Sequence, residues 1–208
     1  MISNKTWRTA ALLLASATMA TQLAGCFPVF VGAVGAGAYA TTDRRSLGAQ
    51  TDDKVIDQRV SHRIEDALSQ RSHVNVNVFN RKVLLTGEVP DEASRQKAEQ
   101  IAKTVDNVQS VVADLEIGGM TPSTARNNDT FITGKVKTEL VSRKDIFANA
   151  YKVVTEKSIV YLMGRVTREE GERAAETARN VSGVAKVVKV FDYISDDELA
   201  QIRKSGAQ

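Results

Sequence analysis

The sequence predicts an α+β protein made of two tandem α-β-β-α-β modules, each a small mixed three-stranded sheet with two helices on one face. Three observations predict this class. Residues 83–89 form an apolar stretch around Gly87, and residues 160–166 repeat it around Gly164, 77 positions later. Residues 102–112 match residues 178–188 at an offset of 76. Within each copy, helical and strand-like periodicities follow one another in the same order.

The first module is predicted over residues 52–117. Apolar residues at helical spacing, Val60 and Ile64 among them, predict an amphipathic helix over 53–69. Valine and asparagine alternate over 74–78, which is the period of a half-buried strand. Asn80-Arg81 predicts a tight turn into a return strand over 82–86. A helix beginning near Pro90 and a closing strand over 108–117 complete the module.

The second module, residues 129–194, repeats this order. Asp129 is expected to cap a helix over 130–142, and a hairpin is expected around Glu156-Lys157. A helix over 167–180 and a strand over 184–193 follow. A linker, residues 118–128, joins the modules, and a tail over 195–208 starts with a capping-box pattern typical of a short exposed helix. Because each module is near the lower size limit for a stable core, we expect the two to support each other.

The first 25 residues have the pattern of an export signal. Lys5 and Arg8 precede an apolar run over 10–20 that is too short to span a bilayer. The stretch Leu-Ala-Gly-Cys at 23–26 resembles the lipobox of bacterial lipoproteins, in which the cysteine carries acyl chains such as palmitate and becomes the mature N-terminus. Cys26 is the single cysteine of the chain, so a covalent use explains it better than chance, although an ordinary signal peptide stays open. Phe27 follows where an aspartate would favour inner-membrane retention, so the resemblance implies the outer membrane.

Residues 26–51 are predicted to be the lipidated N-terminus and a flexible tether that runs to the first module. Loss of Lys5 and Arg8 with the signal lowers the Lys+Arg count from 28 to 26 against 25 Asp+Glu, so the formal charge falls from +3 to +1. Such a balance does not favour nucleic acid as a partner.

Nothing in the sequence predicts catalysis, a metal or a cofactor. His62 and His73 have no cysteine or second histidine at metal-ligand spacing. The glycines over 32–37 follow no predicted strand and open no helix, unlike a phosphate-binding loop. Gly87 and Gly164 are explained by backbone freedom or close approach at a strand end. We therefore expect a protein that is not an enzyme.

The two modules, with their central glycines and valine-rich closing strands, resemble BON domains. Residues 128–140, 160–166 and 181–184 are similar to the second BON domain of the dual-BON outer-membrane lipoproteins. This resemblance implies a lipid-anchored protein on the periplasmic face of the outer membrane, associated with the division site and with membrane integrity. It also implies binding of anionic phospholipid, mainly through the first helix of the second module.

The resemblance points to that helix, and six of its residues are predicted to bind lipid: Phe131, Gly134, Lys135, Lys137, Thr138 and Ser142. Helical spacing places Phe131, Lys135, Thr138 and Ser142 on one face, and Lys137 adds positive charge nearby. Ile132, Val136 and Leu140 should face the sheet, which leaves Phe131 and Lys135 on another face. There the ring can enter the headgroup region while the ammonium meets phosphate. The alternative is that Phe131 is buried between the modules and the charges are an ordinary solvated face.

Two functions remain open on the sequence. In the first, Cys26 anchors the protein and the second module binds anionic phospholipid. In the second, acylation alone anchors a protein-interaction adaptor for outer-membrane assembly or division proteins, and the modules have no affinity for lipid. Salt-sensitive binding of the acyl-free chain to anionic bilayers separates them.

Overall fold

The computed structural model describes residues 43–68, 70–119 and 123–205. The first module consists of α1 (Leu47–Ala67), β1 (His73–Phe79), β2 (Lys82–Val89), α2 (Glu92–Lys103) and β3 (Ser110–Ile117). The second consists of α3 (Ser123–Ser142), a 3-10 turn (Ala148–Ala150), β4 (Tyr151–Glu156), β5 (Ile159–Val166), α4 (Arg168–Arg179) and β6 (Lys186–Tyr193). A final helix, α5 (Asp196–Ser205), follows.

Each module contains one mixed three-stranded sheet, as predicted. In the first, the strand order is β1-β2-β3, with β1 antiparallel and β3 parallel to β2. The second has the order β4-β5-β6 with the same directions. The predicted fold class is therefore confirmed.

The hairpins turn on residues with positive φ angles. Asn80 and Arg81 have φ of 49° and 61°, and Lys157 and Ser158 have 49° and 62°. Two consecutive left-handed residues are the pattern of a type I′ turn, which matches the twist of the flanking strands. The second turn lies one residue later than predicted, because Glu156 still pairs with Ile159 in the ladder.

Each sheet buries one face against its two helices. In α1, Ile56, Val60 and Ile64 enter the core of the first module. In α3, the residues predicted to face the sheet do so: Ile132, Val136 and Leu140 are buried in the core of the second module. Both helices therefore present their other sides to solvent or to neighbouring segments.

The helix-free faces of the two sheets pack against each other, which confirms that the modules support one another. The buried contact consists of Phe79, Leu84, Tyr161, Met163 and Val190. Polar contacts surround it: the Tyr161 hydroxyl donates to Asp114 at 2.9 Å, and the Asn80 amide donates to Asp192 at 2.6 Å. The two modules are therefore two halves of one packed body.

Two helices begin earlier than predicted, and one predicted cap is wrong. Residues 47–51, assigned to the tether, are the first residues of α1, and Ser46 caps that helix by accepting from the Ala49 N–H. Residues 123–128, assigned to the linker, already belong to α3. Asp129 therefore lies inside a helix and caps nothing there, because its carboxylate is held instead by the turn between β4 and β5. The predicted signal, Cys26 and the tether up to residue 42 lie outside the described residues.

Helix α5 begins after Ser195, whose hydroxyl accepts from the Glu198 N–H as the capping pattern predicts. It is less exposed than predicted, because Leu199 is buried and Arg165 forms an ion pair with Glu198. Among the helices that the structure describes, none combines the length and apolar character needed to cross a bilayer.

Candidate lipid-binding site

Phe131 is on the solvent side of α3, opposite to the residues that face the sheet. Its side chain is 68% exposed, although a phenyl ring in a folded protein is normally covered. The Lys135 ammonium, one turn further along the helix, is 5.4 Å from the centre of this ring, within the range of a cation–π contact. The alternative in which Phe131 is buried between the modules is therefore wrong.

An open groove of about 830 Å³ begins at this ring and follows the seam between α3 and the end of α4. A Cβ atom added to Gly134 would meet nothing within 4 Å, so the absence of a side chain there keeps the groove open. The lining residues come from both helices and from the loop after α4: Asn127, Thr130, Phe131, Gly134, Lys135, Thr138, Glu139, Arg143, Thr177, Asn180, Val181 and Ser182.

Lys135 is held in place at the groove. Its ammonium donates to the carbonyl oxygen of Ser182, in the loop that follows α4. This loop approaches α3 closely because Gly183 has φ of +99° and no side chain; a Cβ there would lie 3.2 Å from Ile132. An ammonium has three donor hydrogens, so Lys135 keeps donors for a ligand after contacting Ser182.

The charges along the groove are mixed, with a small positive excess. Lys135 and Arg143 are cationic and Glu139 is anionic. Arg143 also forms a bidentate ion pair with Asp145, with N···O distances of 2.9 and 2.8 Å. The hydrogen bond from Arg143 lowers the pKa of the Asp145 carboxyl, so this pair stays ionised at neutral pH. Attraction for an anion therefore depends most on Lys135.

The structure brings together four of the six predicted residues, Phe131, Gly134, Lys135 and Thr138. Ser142 lies on the same side of α3 but beyond the groove, and its hydroxyl donates to the Glu139 carbonyl. Lys137 does not line this groove, because two residues along a helix rotate its side chain by about 200° from that of Lys135, and its part in lipid binding stays a prediction.

Lys137 instead lines a separate small cavity with Val141 and Tyr151. Cys26, the predicted lipidation site, lies outside the described residues, so its acylation stays a prediction.

The α4 side of the groove was missed by the sequence reasoning. Thr177, Asn180 and Ser182 contribute to the lining but carry no pattern that predicts a site. The internal repeat gives a partial indication of this loop. At the offset of 76, Ser182 corresponds to Asp106, which forms an ion pair with Arg59 at 3.3 Å. Lys135 corresponds to Arg59. Both modules therefore join their first helix to the same loop through a basic side chain.

The first module differs from the second at two positions that line the groove. Phe131 corresponds to Val55, which is less exposed at 38%, and Gly134 corresponds to Gln58. The first module thus has a smaller apolar group where the second has an exposed ring, and a long side chain where the second has none. The ring and the opening beside it are features of the second module.

Across the described residues, no three histidine, cysteine, aspartate or glutamate side chains are grouped so as to hold a metal ion. The groove itself brings together an aromatic ring, hydroxyls, amides and one fixed ammonium. This set suits an amphipathic anion with an apolar part and an oxygen-rich charged part.

Comparison with known proteins agrees with the two-module architecture. Over 184 residues the chain is 33% identical to "Outer membrane lipoprotein DolP" of Haemophilus influenzae, covering 88% of this chain and 94% of that protein. It is 34% identical over 154 residues to "21 kDa hemolysin" of Actinobacillus pleuropneumoniae, covering 73% and 79%. "Osmotically-inducible protein Y" of Escherichia coli is 27% identical over 156 residues, covering 73% and 78%.

The family assignment follows from the position of the matches on the fold. Residues 52–119 and 128–195 each match the BON domain. The first range covers most of α1 and the following elements through β3, and the second covers the larger part of α3 and continues through β6. With the repeated sheet order and the relatives above, these matches establish that the chain belongs to the BON-domain family and carries two BON domains.

Proposed function

We propose that this protein is a non-enzymatic outer-membrane lipoprotein that binds anionic phospholipid through the groove of its second BON domain. The observation that carries the proposal is the exposed Phe131 ring with Lys135 beside it at an open groove. The Haemophilus influenzae relative, named as an outer membrane lipoprotein, supports the location. In this role the protein supports outer-membrane integrity and cell division from the periplasmic face.

Binding would combine an apolar and an electrostatic contribution. Transfer of the Phe131 ring from water into the interfacial region contributes up to about 2 kcal/mol, because most of the ring is still exposed in the free protein. A lysine near an anionic surface contributes about 1 kcal/mol, which salt weakens. Glu139 opposes the approach of phosphate, so the groove should bind one headgroup at the Lys135 end rather than a uniformly charged surface.

The acyl chains on Cys26 would supply the second attachment. Several acyl chains on one cysteine already give stable anchoring. The groove would then bind lipid from a protein that is confined to the membrane surface, where the effective concentration of headgroups is high.

The test is flotation of residues 37–208, a range that lacks Cys26, with vesicles. Vesicles rich in phosphatidylglycerol are compared with neutral phosphatidylcholine vesicles, each at low and high salt. We expect flotation with the anionic vesicles only, and a loss of most of it at high salt. Phe131→Glu should abolish binding and leave the protein folded, because the ring is not part of the core.

Val141→Glu is the matched control. Val141 is 69% exposed on the same helix but lines a different cavity, so the same change of charge is made away from the groove. Equal losses in both variants would mean that any added negative charge on α3 prevents binding, and the groove would not be the site. Absence of flotation in the unmodified chain would overturn lipid binding and favour an adaptor for outer-membrane assembly or division proteins, anchored by acylation alone.

A further inference from the structure

Two neighbouring arginines immediately before α1 contact different BON domains. Arg44 is buried against the second domain, where its guanidinium forms an ion pair with Glu170. Arg45 forms an ion pair with Asp53 in the first domain. Residues 43–46 therefore cross the boundary between the domains, and we name this segment the strap. It lies upstream of residue 52, where the first BON match begins.

The site that holds Arg44 is built by the second domain. The two terminal nitrogens of the guanidinium donate to the two Glu170 oxygens at 2.7 and 2.8 Å, and one of them also donates to the Arg165 carbonyl at 3.1 Å. The guanidinium lies 5.3 Å from the centre of the Phe147 ring. Arg165 in turn donates to the Arg44 carbonyl at 3.2 Å. A fork-shaped pair with a stacked ring is specific for arginine.

Arg45 is held by the first domain. One terminal nitrogen donates to Asp53 at 2.6 Å, and the guanidinium is 4.3 Å from the centre of the Phe79 ring. Phe79 belongs to the buried contact between the sheets. The two arginines thus join the strap to both domains at their common boundary.

We propose that the strap attaches the end of the N-terminal tether to the second BON domain, although the tether precedes the first domain in the sequence. The segment that carries the membrane anchor is then attached to the domain that carries the lipid-binding groove. The benefit of this attachment for lipid binding rests on the proposed function, whereas the attachment of the strap to the second domain does not. Glu170 is near the start of α4 and Asn180 caps its end beside the groove, ten residues away, which is about 15 Å along the helix.

The covalent reach of the tether is compatible with both attachments at once. Asp43 lies 17 positions after Cys26, and a chain of that length spans at most about 60 Å. That reach exceeds the separation along α4 by a wide margin. Attachment of the tether to the second domain would keep the groove close to the bilayer and raise its effective concentration there.

The proposal is tested with a nitroxide label at the end of the tether. Residues 37–208 contain no cysteine, so Thr41→Cys introduces a single labelling site. The label should broaden the amide NMR signals of Phe147 and Glu170 in the second domain, and the Asn180 signal less. Arg44→Ala should remove this broadening while the dispersed spectra of both domains are kept. Arg95→Ala, which removes an exposed arginine that pairs with Glu92 on α2 of the first domain, should leave the broadening unchanged.

Unchanged broadening in Arg44→Ala would overturn the proposal. If the Arg44→Ala variant unfolds, Arg44→Lys is tested instead, because lysine keeps the charge but cannot form the bidentate pair with Glu170. We expect reduced broadening in that variant, and undiminished broadening would overturn the proposal equally. No lipid enters this experiment, so its failure is distinguishable from failure of lipid binding.

Discussion

Asp53 and Asp129 occupy the same position in the two BON domains and make the same contacts. Asp53 accepts hydrogen bonds from the N–H groups of Asn80 and Arg81 at 2.7 and 2.6 Å. Asp129, 76 residues later, accepts from the N–H groups of Lys157 and Ser158, both at 2.8 Å. Each buried carboxylate therefore fastens the first helix of its domain to the hairpin turn. A charged acceptor shared by two backbone donors makes strong hydrogen bonds.

We expect Asp129→Ala to destabilise the protein by about 3 kcal/mol, because two buried amide donors would lose a charged acceptor. Urea denaturation measures the change. Asp53→Ala should cost at least as much, since Asp53 also holds Arg45 of the strap. Glu139→Ala is the control, because this exposed carboxylate on the same helix should change stability by less than about 0.5 kcal/mol. A similar loss in Glu139→Ala would show that any acidic residue on α3 contributes as much.

Gly134→Gln should separate stability from binding. A Cβ at this position meets nothing, and glycine in a helix interior is unfavourable, so we expect stabilisation of about 0.5–1 kcal/mol. The same side chain would enter the groove and lower the affinity for anionic vesicles. Thermal denaturation and flotation measure the two effects on one sample.

The first domain supplies the matched control for that experiment. Gln58 is the residue that corresponds to Gly134, and Gln58→Gly should destabilise the protein by about the same amount without changing flotation. If Gly134→Gln floats as well as the unmodified chain, the open space beside Phe131 is not used by the ligand.

The central glycines of the two repeated strands should differ in their tolerance of alanine. Gly87 has φ of +113°, and a Cβ there would overlap the His73 carbonyl oxygen. The φ angle of Gly164 is not positive, but a Cβ there would lie 2.6 Å from the Ala150 carbonyl oxygen. We expect Gly87→Ala to cost at least about 2 kcal/mol, and Gly164→Ala less, because only Gly87 adds backbone strain to the steric conflict. Urea denaturation of both variants checks the order, and the reverse order would contradict it.

Acid should weaken the attachment of the strap. Burial by itself would raise the pKa of Glu170, but the hydrogen bonds from Arg44 and from the Thr167 N–H outweigh it, and the pKa is lowered from the ordinary value of 4.5. A carboxyl with a lower pKa in the folded state contributes stability that is fully present above its unfolded value. This contribution disappears as the pH falls through the folded pKa.

We therefore expect Glu170→Gln to flatten the loss of stability between about pH 6 and pH 3 relative to the unmodified protein. Urea denaturation at several pH values measures the slope. Glu176→Gln is the control, since Glu176 lies on the same helix and pairs with Arg179 at the surface. An equal flattening in Glu176→Gln would assign the acid dependence to surface carboxylates in general.

Much of each domain could be predicted from local pattern. The spacing of Ile132, Val136 and Leu140 predicts which side of α3 is buried, and the structure confirms it. Thr167 was predicted at the start of the second helix, and it caps α4 with Glu170 as its capping-box partner. Such features depend on residues within one or two helical turns, so the sequence displays them directly.

The roles of Asp53, Asp129 and Lys137 could not be read in this way. An aspartate near a predicted helix start is typical of an N-terminal cap. The N–H groups that donate to Asp53 and Asp129, however, lie 27 to 29 residues away in the chain. Lys137 is two residues from Lys135, so the sequence predicts positive charge from both beside Phe131. The rotation of the helix separates them, and the Ser182 loop contacts only Lys135.

The sequence by itself determined the class of the protein: two copies of one α-β-β-α-β module, the buried side of each helix, and the position of Phe131 and Lys135 away from that side. These follow from hydrophobic periodicity and internal repetition, which are properties of the chain alone. Only the tertiary structure decided that the two sheets share a buried face, that α4 completes the groove, and that Arg44 and Arg45 separate to opposite domains. These depend on contacts between residues as far apart as Arg44 and Glu170, and no local pattern records which distant partner a side chain will meet.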